Sequence, residues 1–274
     1  MKESSVSNDE IIQSHYKLQA EKHKDSPTST MEDLIIRQKE MESIFSFFQL
    51  RDVRKINNKV LEIGCGNGYM LEQLANRFPG TAFHGLDFSH DLLEIATKRK
   101  IGNGSFSQGD VRKLSFENES FDLIYTERCL INLLTWEDQQ KALKQIHRVL
   151  KKGGFYFMIE SFTDGYDNLN KARQELGLGV IPVAHHNLYF DKKAFQKFID
   201  PLFLIADPAS VGDADHSKLV PNFLSSHYFT ARVLHPLLTK GNADLKNTEF
   251  VKFFSFLPPS GEYAAIQAFI LQKK

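Results

Sequence analysis

Residues 60–68 read Val-Leu-Glu-Ile-Gly-Cys-Gly-Asn-Gly, and this stretch decides the fold. Its apolar first half is typical of a buried strand, and Gly64, Gly66 and Gly68 predict a tight turn into a helix. Glycine has no Cβ, so such a turn lets the backbone approach a ligand closely. Asp87 ends a second apolar segment 19 residues after Gly68. A carboxylate at that place is suited to accept hydrogen bonds from a ribose diol.

The spacing of the glycines separates two kinds of nucleotide site. A dinucleotide-binding turn is G-x-G-x-x-G, because the pyrophosphate must be seated on the N-terminus of the helix. This chain has G-x-G-x-G, and the bulky Tyr69 follows Gly68. The pattern therefore disfavours a dinucleotide-dependent oxidoreductase, which we keep as an alternative.

Strands and helices alternate from residue 59 to residue 160. The hydrophobic pattern predicts strands at 60–63, 82–86, 106–111, 121–125 and 155–159. A helix is predicted to start near Thr135 and to end at Gly153 and Gly154, directly before the fifth strand. Such alternation indicates an α/β fold with a parallel sheet and right-handed crossovers.

Two further regions flank this alternation. Apolar residues recur at helical spacing within residues 1–58, which predicts an N-terminal helical arm. Residues 59–274 are then the main domain, with a last strand predicted at 264–271. The aromatic-rich stretch 213–257 precedes that strand and is interpreted as a cap insertion, because long connections in compact domains are usually lids or binding elements.

Four motifs in this order carry a family resemblance. They are the glycine turn after Glu62, Gln-Gly-Asp-Val at 108–111, Phe-Asp-Leu-Ile-Tyr at 121–125, and the segment 143–154 that ends in Gly-Gly. Together they resemble the class I S-adenosylmethionine-dependent methyltransferases, with Lys152 where proline is usual. The resemblance implies a Rossmann-like seven-stranded, mostly parallel sheet whose last strand is antiparallel. It also implies a cofactor over the carboxyl ends of strands 1, 2 and 4.

The resemblance carries roles onto particular residues. Asp87 is expected to bind the ribose diol of S-adenosylmethionine, and Asp110 the adenine amine. Glu62 is expected to reach the methionine amino group. In the arm, Tyr16 is expected to cover the cofactor, and Arg37 is expected to pair with the cofactor's carboxylate. The full set of residues expected to bind the cofactor is Tyr16, Arg37, Glu62, Gly64, Gly66, Asn67, Gly68, Asp87, Phe88, Asp110, Val111 and Thr126.

The composition limits the partners. Lys plus Arg and Asp plus Glu both number 34, so no basic excess favours a nucleic-acid surface. No apolar run approaches the ~20 residues of a membrane-spanning helix, and the N-terminus is too polar for a signal peptide. We therefore expect a cytoplasmic protein without a membrane or nucleic-acid partner. The two cysteines, Cys65 and Cys129, form no C-x-x-C pair, so we expect reduced thiols and no metal site.

The acceptor is predicted to be a small polar metabolite such as a sugar, a nucleotide-sugar or a natural-product intermediate, methylated on oxygen or nitrogen. A hydroxyl acceptor benefits from a base, for which histidine is suited near neutral pH. Candidates for catalysis are His185, His186, His227 and Glu127. Candidates for acceptor binding are Arg128, Arg173, Tyr189, Tyr228 and Arg232. A catalytically silent cofactor-binding protein remains an alternative, because this class has no universal catalytic side chain.

Overall fold

A computed structural model describes residues 7–26, 31–54, 59–212, 215–239 and 248–274. Its centre is one sheet of seven strands in the order β3-β2-β1-β4-β5-β7-β6. The strands are β1 (Lys59–Ile63), β2 (Ala82–Asp87), β3 (Gly104–Gln108), β4 (Phe121–Glu127), β5 (Leu150–Ser161), β6 (Phe203–Ile205) and β7 (Ile266–Lys273). β7 runs antiparallel to both of its neighbours, β5 and β6. All pairings among the first five strands are parallel. The predicted fold is confirmed.

Helices cover both faces of the sheet. In chain order they are α1 (Asn8–His23), α2 (Leu34–Gln49), α3 (Arg51–Arg54), α4 (Tyr69–Arg77), α5 (His90–Thr97), α6 (Trp136–Val149), α7 (Thr163–Glu175), α8 (Lys192–Ile199), α9 (Pro208–Val211), α10 (Ser225–Phe229), α11 (His235–Leu238) and α12 (Glu249–Ser255). A π-helical segment, Thr230–Leu234, joins α10 to α11. None of the helices in the described ranges has the length and apolarity needed to cross a bilayer.

Helix α2 is fastened to the sheet by apolar side chains. Phe47 and Phe48 are fully buried, and the Phe47 ring stacks on Phe157 of β5 with 4.6 Å between ring centroids. Phe48 meets Tyr125 of β4 edge to face at 5.9 Å. Full burial of such a side chain contributes roughly 1.5–3 kcal/mol. This packing brings the polar side chains at the start of α2 to the carboxyl ends of β4 and β5.

The predicted boundary between α6 and β5 is wrong by several residues. The helix begins after its Thr135 cap as expected, but it ends at Val149, and β5 already begins at Leu150. Leu150 has extended backbone angles and pairs with Phe121, and the register shifts before Leu123 pairs with Phe155. A bulge therefore holds the glycine pair within the strand, where the sequence pattern indicates a turn.

The part of the cap that the structure describes lies between β6 and β7. It consists of a 3₁₀ turn at His216–Lys218, α10, the π-helical segment, α11 and α12. Residues 213–214 and 240–247, which also belong to the predicted cap, lie outside the described residues. Helices α10 and α12 contact each other, and α7 contacts both α10 and the π-helical segment. The cap therefore sits beside the segment that follows β5.

Candidate functional site

The glycine turn after β1 is held by backbone hydrogen bonds. The amides of Gly64 and Cys65 both donate to the carbonyl oxygen of Leu86, at 2.8 and 3.1 Å. Gly64 has φ of +79°, and a Cβ built on it would lie 2.7 Å from Cβ of Cys129. Gly66 also has positive φ, but a Cβ there would meet nothing within 4 Å. The turn is therefore closed on one side by Cys129 and open on the other.

Asp87 stands at the open side of the turn. One carboxylate oxygen accepts from the amide of Gly66 at 2.7 Å, and the other accepts from the amide of Ser89 at 2.8 Å. Burial raises the pKa of Asp87, while these amides oppose the rise. A carboxylate oxygen accepts more than one hydrogen bond. Asp87 therefore has acceptor capacity left for two hydroxyl donors.

A crevice opens above the carboxyl ends of β1, β2 and β4. Predicted cofactor residues that line it are Tyr16, Arg37, Glu62, Gly64, Gly66, Asn67, Asp87, Phe88, Asp110 and Val111.

Two predicted cofactor residues do not line the crevice. Thr126 is fully buried, and its hydroxyl shares a 2.8 Å hydrogen bond with the hydroxyl of Tyr156. Gly68 caps α4 with φ of +74°, and a Cβ on it would lie 2.9 Å from the Phe106 ring. Gly68 therefore allows a left-handed turn and close helix packing, and Thr126 ties two strands together.

Helix α1 lies over one side of the crevice. The Tyr16 hydroxyl donates to Oδ1 of Asn132 at 2.6 Å, and Nη2 of Arg112 binds Asp9 at 2.8 Å. Arg112 also binds both carboxylate oxygens of Asp110. Beyond the end of α1, Nδ2 of Asn67 donates to the carbonyl oxygens of Lys24 and Ser26. The helix is thus attached at both ends of the crevice.

Four ionisable side chains meet at the end of β4. Arg37 of α2 donates to Glu127, and Nε of Arg128 donates to Oε1 of Glu40 at 2.9 Å. Burial raises the pKa of Glu127, but Arg37 and Arg128 outweigh it and hold that pKa at about 2. Burial likewise raises the pKa of Glu40, in this case to about 8, with Arg128 opposing the rise.

The pKa values of the two carboxyl groups, Glu127 and Glu40, shift in opposite directions, so one of the two holds a proton near neutral pH. Glu127 is ionised, while Glu40 is the carboxyl that holds the proton near neutral pH. Oε2 of Glu40 is buried and has no hydrogen-bond partner among the described residues. Glu62 also has a buried Oε2 without a hydrogen-bond partner among the described residues, at the floor of the crevice. A cationic donor in the crevice would satisfy it.

Glu160 shapes the loop that follows β4. Its buried carboxylate accepts from the amides of Cys129, Leu130 and Ile131 at 2.9–3.2 Å. Burial raises the pKa of Glu160 to about 7 even though those amides oppose the rise. Arg128, next to this group, has φ of +53°, a left-handed conformation that is uncommon outside glycine. The three hydrogen bonds from backbone amides to Glu160 therefore stabilise a turn from which Arg128 reaches the crevice lining.

The predicted catalytic histidines lie away from the crevice lining. His227 is fully buried, with Nδ1 2.7 Å from Oγ of Ser255 and Nε2 3.0 Å from Oδ2 of Asp33. His186 stacks on His15 of α1 at 3.7 Å, and burial lowers its pKa to about 4. His185 is exposed beside it. These placements join α2 to the cap and α1 to the segment after α7.

The predicted acceptor residues fall into two groups. Arg128 lines the crevice, whereas Arg173, Tyr189, Tyr228 and Arg232 lie on the cap side. Glu40, Asn132 and Glu160 were not identified from the sequence. A charged residue on the buried face of α2 was the available signal for Glu40. For Glu160, the signal was an acid directly after the apolar run of β5.

The sheet order, with β7 antiparallel at its place between β5 and β6, is that of a Rossmann-like α/β fold. Residues 60–154 match the family described as Methyltransferase domain. Over residues 60–154 the chain therefore matches a methyltransferase domain, and the methyl donor of the class I family that its motifs resemble is S-adenosylmethionine.

Characterised relatives match about half of this chain. A sterol 24-C-methyltransferase of Gibberella zeae is 34% identical over 128 residues, which are 44% of this chain and 32% of that protein. A malonyl-[acyl-carrier protein] O-methyltransferase of Bacillus cereus is 29% identical over 148 residues, 51% of this chain and 52% of that protein. The chain thus spans about a third to a half of these relatives' own length.

The fold is also found among solved structures. The crystal structure of a Pyrococcus horikoshii protein aligns with a TM-score of 0.53 and 21% identity, over 70% of this chain and 90% of that one. At this identity the likeness concerns the fold alone.

Proposed function

We propose that this protein transfers the methyl group of S-adenosylmethionine to an oxygen or nitrogen of a small polar metabolite. The observation that carries the proposal is the crevice with acceptor capacity at both ends, Asp87 at one and the unpartnered Oε2 of Glu62 at the other. The donor supplies a sulfonium methyl that is already activated. The residues of this chain are then left with binding, orientation and the exclusion of water.

The Asp87 end fits an adenosine. The carboxylate would accept the two ribose hydroxyls, because its amide contacts use only part of its acceptor capacity. Asp110 is held in place by Arg112 and would accept from the adenine amine. Phe88 and Val111 line the same end and offer apolar contact to the ring.

The Glu62 end fits an amino acid. The methionine ammonium group would donate to Oε2 of Glu62, which otherwise leaves a buried acceptor unsatisfied. Arg37 lines the crevice next to it and would donate to the methionine carboxylate. Its ion pair with Glu127 keeps the guanidinium in position before the ligand arrives.

The acceptor would enter between the arm, residues 1–58, and the cap, residues 213–257. The crevice wall on that side carries Glu127, Arg128 and Asn132, which supports a polar acceptor over a sterol such as the one named in the Gibberella relative. Glu127 is a weak base because of its ion pairs. Placement of an acceptor that needs little deprotonation, such as a neutral amine, is therefore best supported.

The test is formation of S-adenosylhomocysteine. Purified full-length chain is incubated with S-adenosylmethionine and, in separate pools, amino sugars, nucleotide-sugars, sterols and quinones, and the product is quantified by mass spectrometry. We expect turnover in a polar pool and none in the sterol or quinone pools. Turnover only with an apolar pool, or cofactor binding without turnover in any pool, would contradict the proposal.

A further inference from the structure

Arg232 in the cap has a guanidinium that its neighbours only partly satisfy. It lies over the Tyr228 ring, 4.1 Å from the centroid, a geometry that fixes the plane of the cation. Its Nη2 is 3.4 Å from Oδ2 of Asp33, at the outer limit of a hydrogen bond. Its Nη1 is buried and has no hydrogen-bond partner among the residues that the structure describes.

Asp33 also binds other donors. It accepts from the amides of Ile35 and Ile36 at the start of α2, and it pairs with His227 at 3.0 Å. Burial lowers the pKa of His227, so the negative charge of Asp33 is shared mainly with Arg232. Arg232 therefore has Asp33 as a counterion through Nη2 alone, and its Nη1 is left without a partner among the described residues.

A second guanidinium adds to the positive charge. Nη1 of Arg173 in α7 donates to the backbone oxygen of Arg232, and its Nε donates to the carbonyl oxygen of Gly179. Burial lowers the pKa of Arg173, and repulsion from Arg232 lowers it further. Two cations are thus held side by side with one carboxylate at 3.4 Å from Arg232, and a buried donor on a charged group is left open, an arrangement that a further anion would stabilise.

Neither Arg232 nor Arg173 lines the crevice, and the link between them and it runs through Tyr228 and Glu40. Tyr228 lies within electrostatic range of Arg232, Tyr189 and Glu40. Glu40 in turn binds Arg128, which lines the crevice at its Glu62 end. Arg232 therefore lies outside the crevice lining, on its cap side.

We propose that Arg232, with Arg173 beside it, binds an anionic group of the acceptor, a carboxylate or a phosphate monoester. This inference rests on the proposed function and narrows its substrate class. The planar fork of an arginine presents two parallel donors to either anion. The open Nη1 is the donor that the anion would satisfy, and Tyr228 keeps the fork from rotating.

The experiment uses the full chain saturated with S-adenosylhomocysteine, titrated calorimetrically with inorganic phosphate and separately with acetate. The variants are Arg232→Met, Arg232→Lys and, as a control, Arg54→Met, which removes an exposed guanidinium on α3. We expect saturable uptake by the wild type and the control, at least a tenfold loss in Arg232→Met, and a smaller loss in Arg232→Lys. Tighter phosphate uptake identifies a phosphorylated acceptor, and tighter acetate uptake a carboxylated one.

Several results would overturn the inference. One is the absence of saturable uptake of both anions by the wild type, and another is equal uptake by the wild type and Arg232→Met. The affinity for S-adenosylhomocysteine, measured first on each variant, shows whether it is folded. Should Arg232→Met not fold, Arg173→Met replaces it. We then expect at least a threefold loss of anion affinity, and an unchanged affinity would contradict the proposal. Failure of the wild type to bind S-adenosylhomocysteine would instead overturn the proposed function.

Discussion

The two walls of the crevice are built from different kinds of interaction. The strand-side wall is backbone: amides of the glycine turn donate to Leu86 and Asp87, which belong to the neighbouring strand. The helical wall is side chain: Tyr16 reaches Asn132 across 116 positions, and Arg37 reaches Glu127 across 90. The first wall is part of the sheet, whereas the second is laid over it.

Because of this difference, we expect the strand-side wall to be rigid and the helical wall to open and close over the ligand. Breaking the strand-side wall requires loss of sheet pairing and of a buried core. A neutral hydrogen bond such as that of Tyr16 contributes about 0.5–1.5 kcal/mol and one to a charged group about 1.5–3 kcal/mol, so we expect α1 to open for ligand exchange at a lower cost than the sheet. A ligand would therefore be recognised by the sheet edge and retained by the helices.

The largest effect is expected at the strand-side wall. Asp87→Ala removes the ribose acceptor and also releases the amides of Gly66 and Ser89. We expect the affinity for S-adenosylhomocysteine to fall by about 1–3 kcal/mol, roughly 5- to 150-fold. Isothermal titration calorimetry measures it, and an unchanged dissociation constant would rule out Asp87 as the ribose ligand.

Asp122→Ala is the matched control for this prediction. Asp122 is a similarly buried strand carboxylate that also accepts from a backbone amide, that of Lys59, but it lies at the opposite end of the strands. We expect its removal to lower the melting temperature and to leave the affinity for S-adenosylhomocysteine unchanged. Equal losses of affinity in both variants would mean that the effect of Asp87→Ala is global.

An intermediate effect, dependent on pH, is expected in the helical wall at Glu40. Its folded-state pKa of about 8 is above the ordinary 4.5, so its contribution to stability is complete below pH 4.5 and is lost as the pH rises through 8. Glu40→Gln mimics the protonated acid. We expect the variant to lie within about 1 kcal/mol of the wild type at pH 5 and to be clearly more stable at pH 9.

Thermal unfolding of both proteins at each pH checks the Glu40 prediction. Each kcal/mol shifts Tm by roughly 2–4 °C in a domain of this size, so the gap should widen by several degrees between pH 5 and pH 9. Glu160, with a pKa of about 7, acts in the same direction but is present in both proteins and cancels in the difference. A Tm difference between variant and wild type that stays constant or shrinks as the pH rises would contradict a raised pKa of Glu40.

The smallest effect is expected at the attachment of α1. Tyr16→Phe removes one hydrogen bond, to Asn132, and keeps the ring. We expect S-adenosylhomocysteine to dissociate up to about fivefold faster, with little change in Tm, because only closure is weakened. Stopped-flow displacement measures the rate. Tyr263→Phe, which alters a ring packed against Phe229 in the cap, is the control and should not change it. Equal dissociation rates for Tyr16→Phe and the wild type would show that the Tyr16 hydrogen bond does not hold α1 closed over the ligand.

The strand-side wall was predictable almost residue by residue, because its contacts join segments that are adjacent in a parallel sheet. Gly64, Gly66 and Asp87 stand where the motif places them. Thr126 shows the limit: the sequence puts it at a strand end, but only the pairing with β5 decides that its hydroxyl meets Tyr156. The α6–β5 boundary failed for a similar reason, since a bulge depends on the neighbouring strand.

By itself, the amino-acid sequence determined the sheet, the glycine turn and the acid that faces the crevice, since local periodicity and backbone freedom specify them. The tertiary structure decided which charges meet above that turn. Glu40 and Arg232 have no motif, and their states depend on burial and on partners far along the chain. Protonation and ion pairing are long-range properties because a low-dielectric environment exists only after the helices have packed.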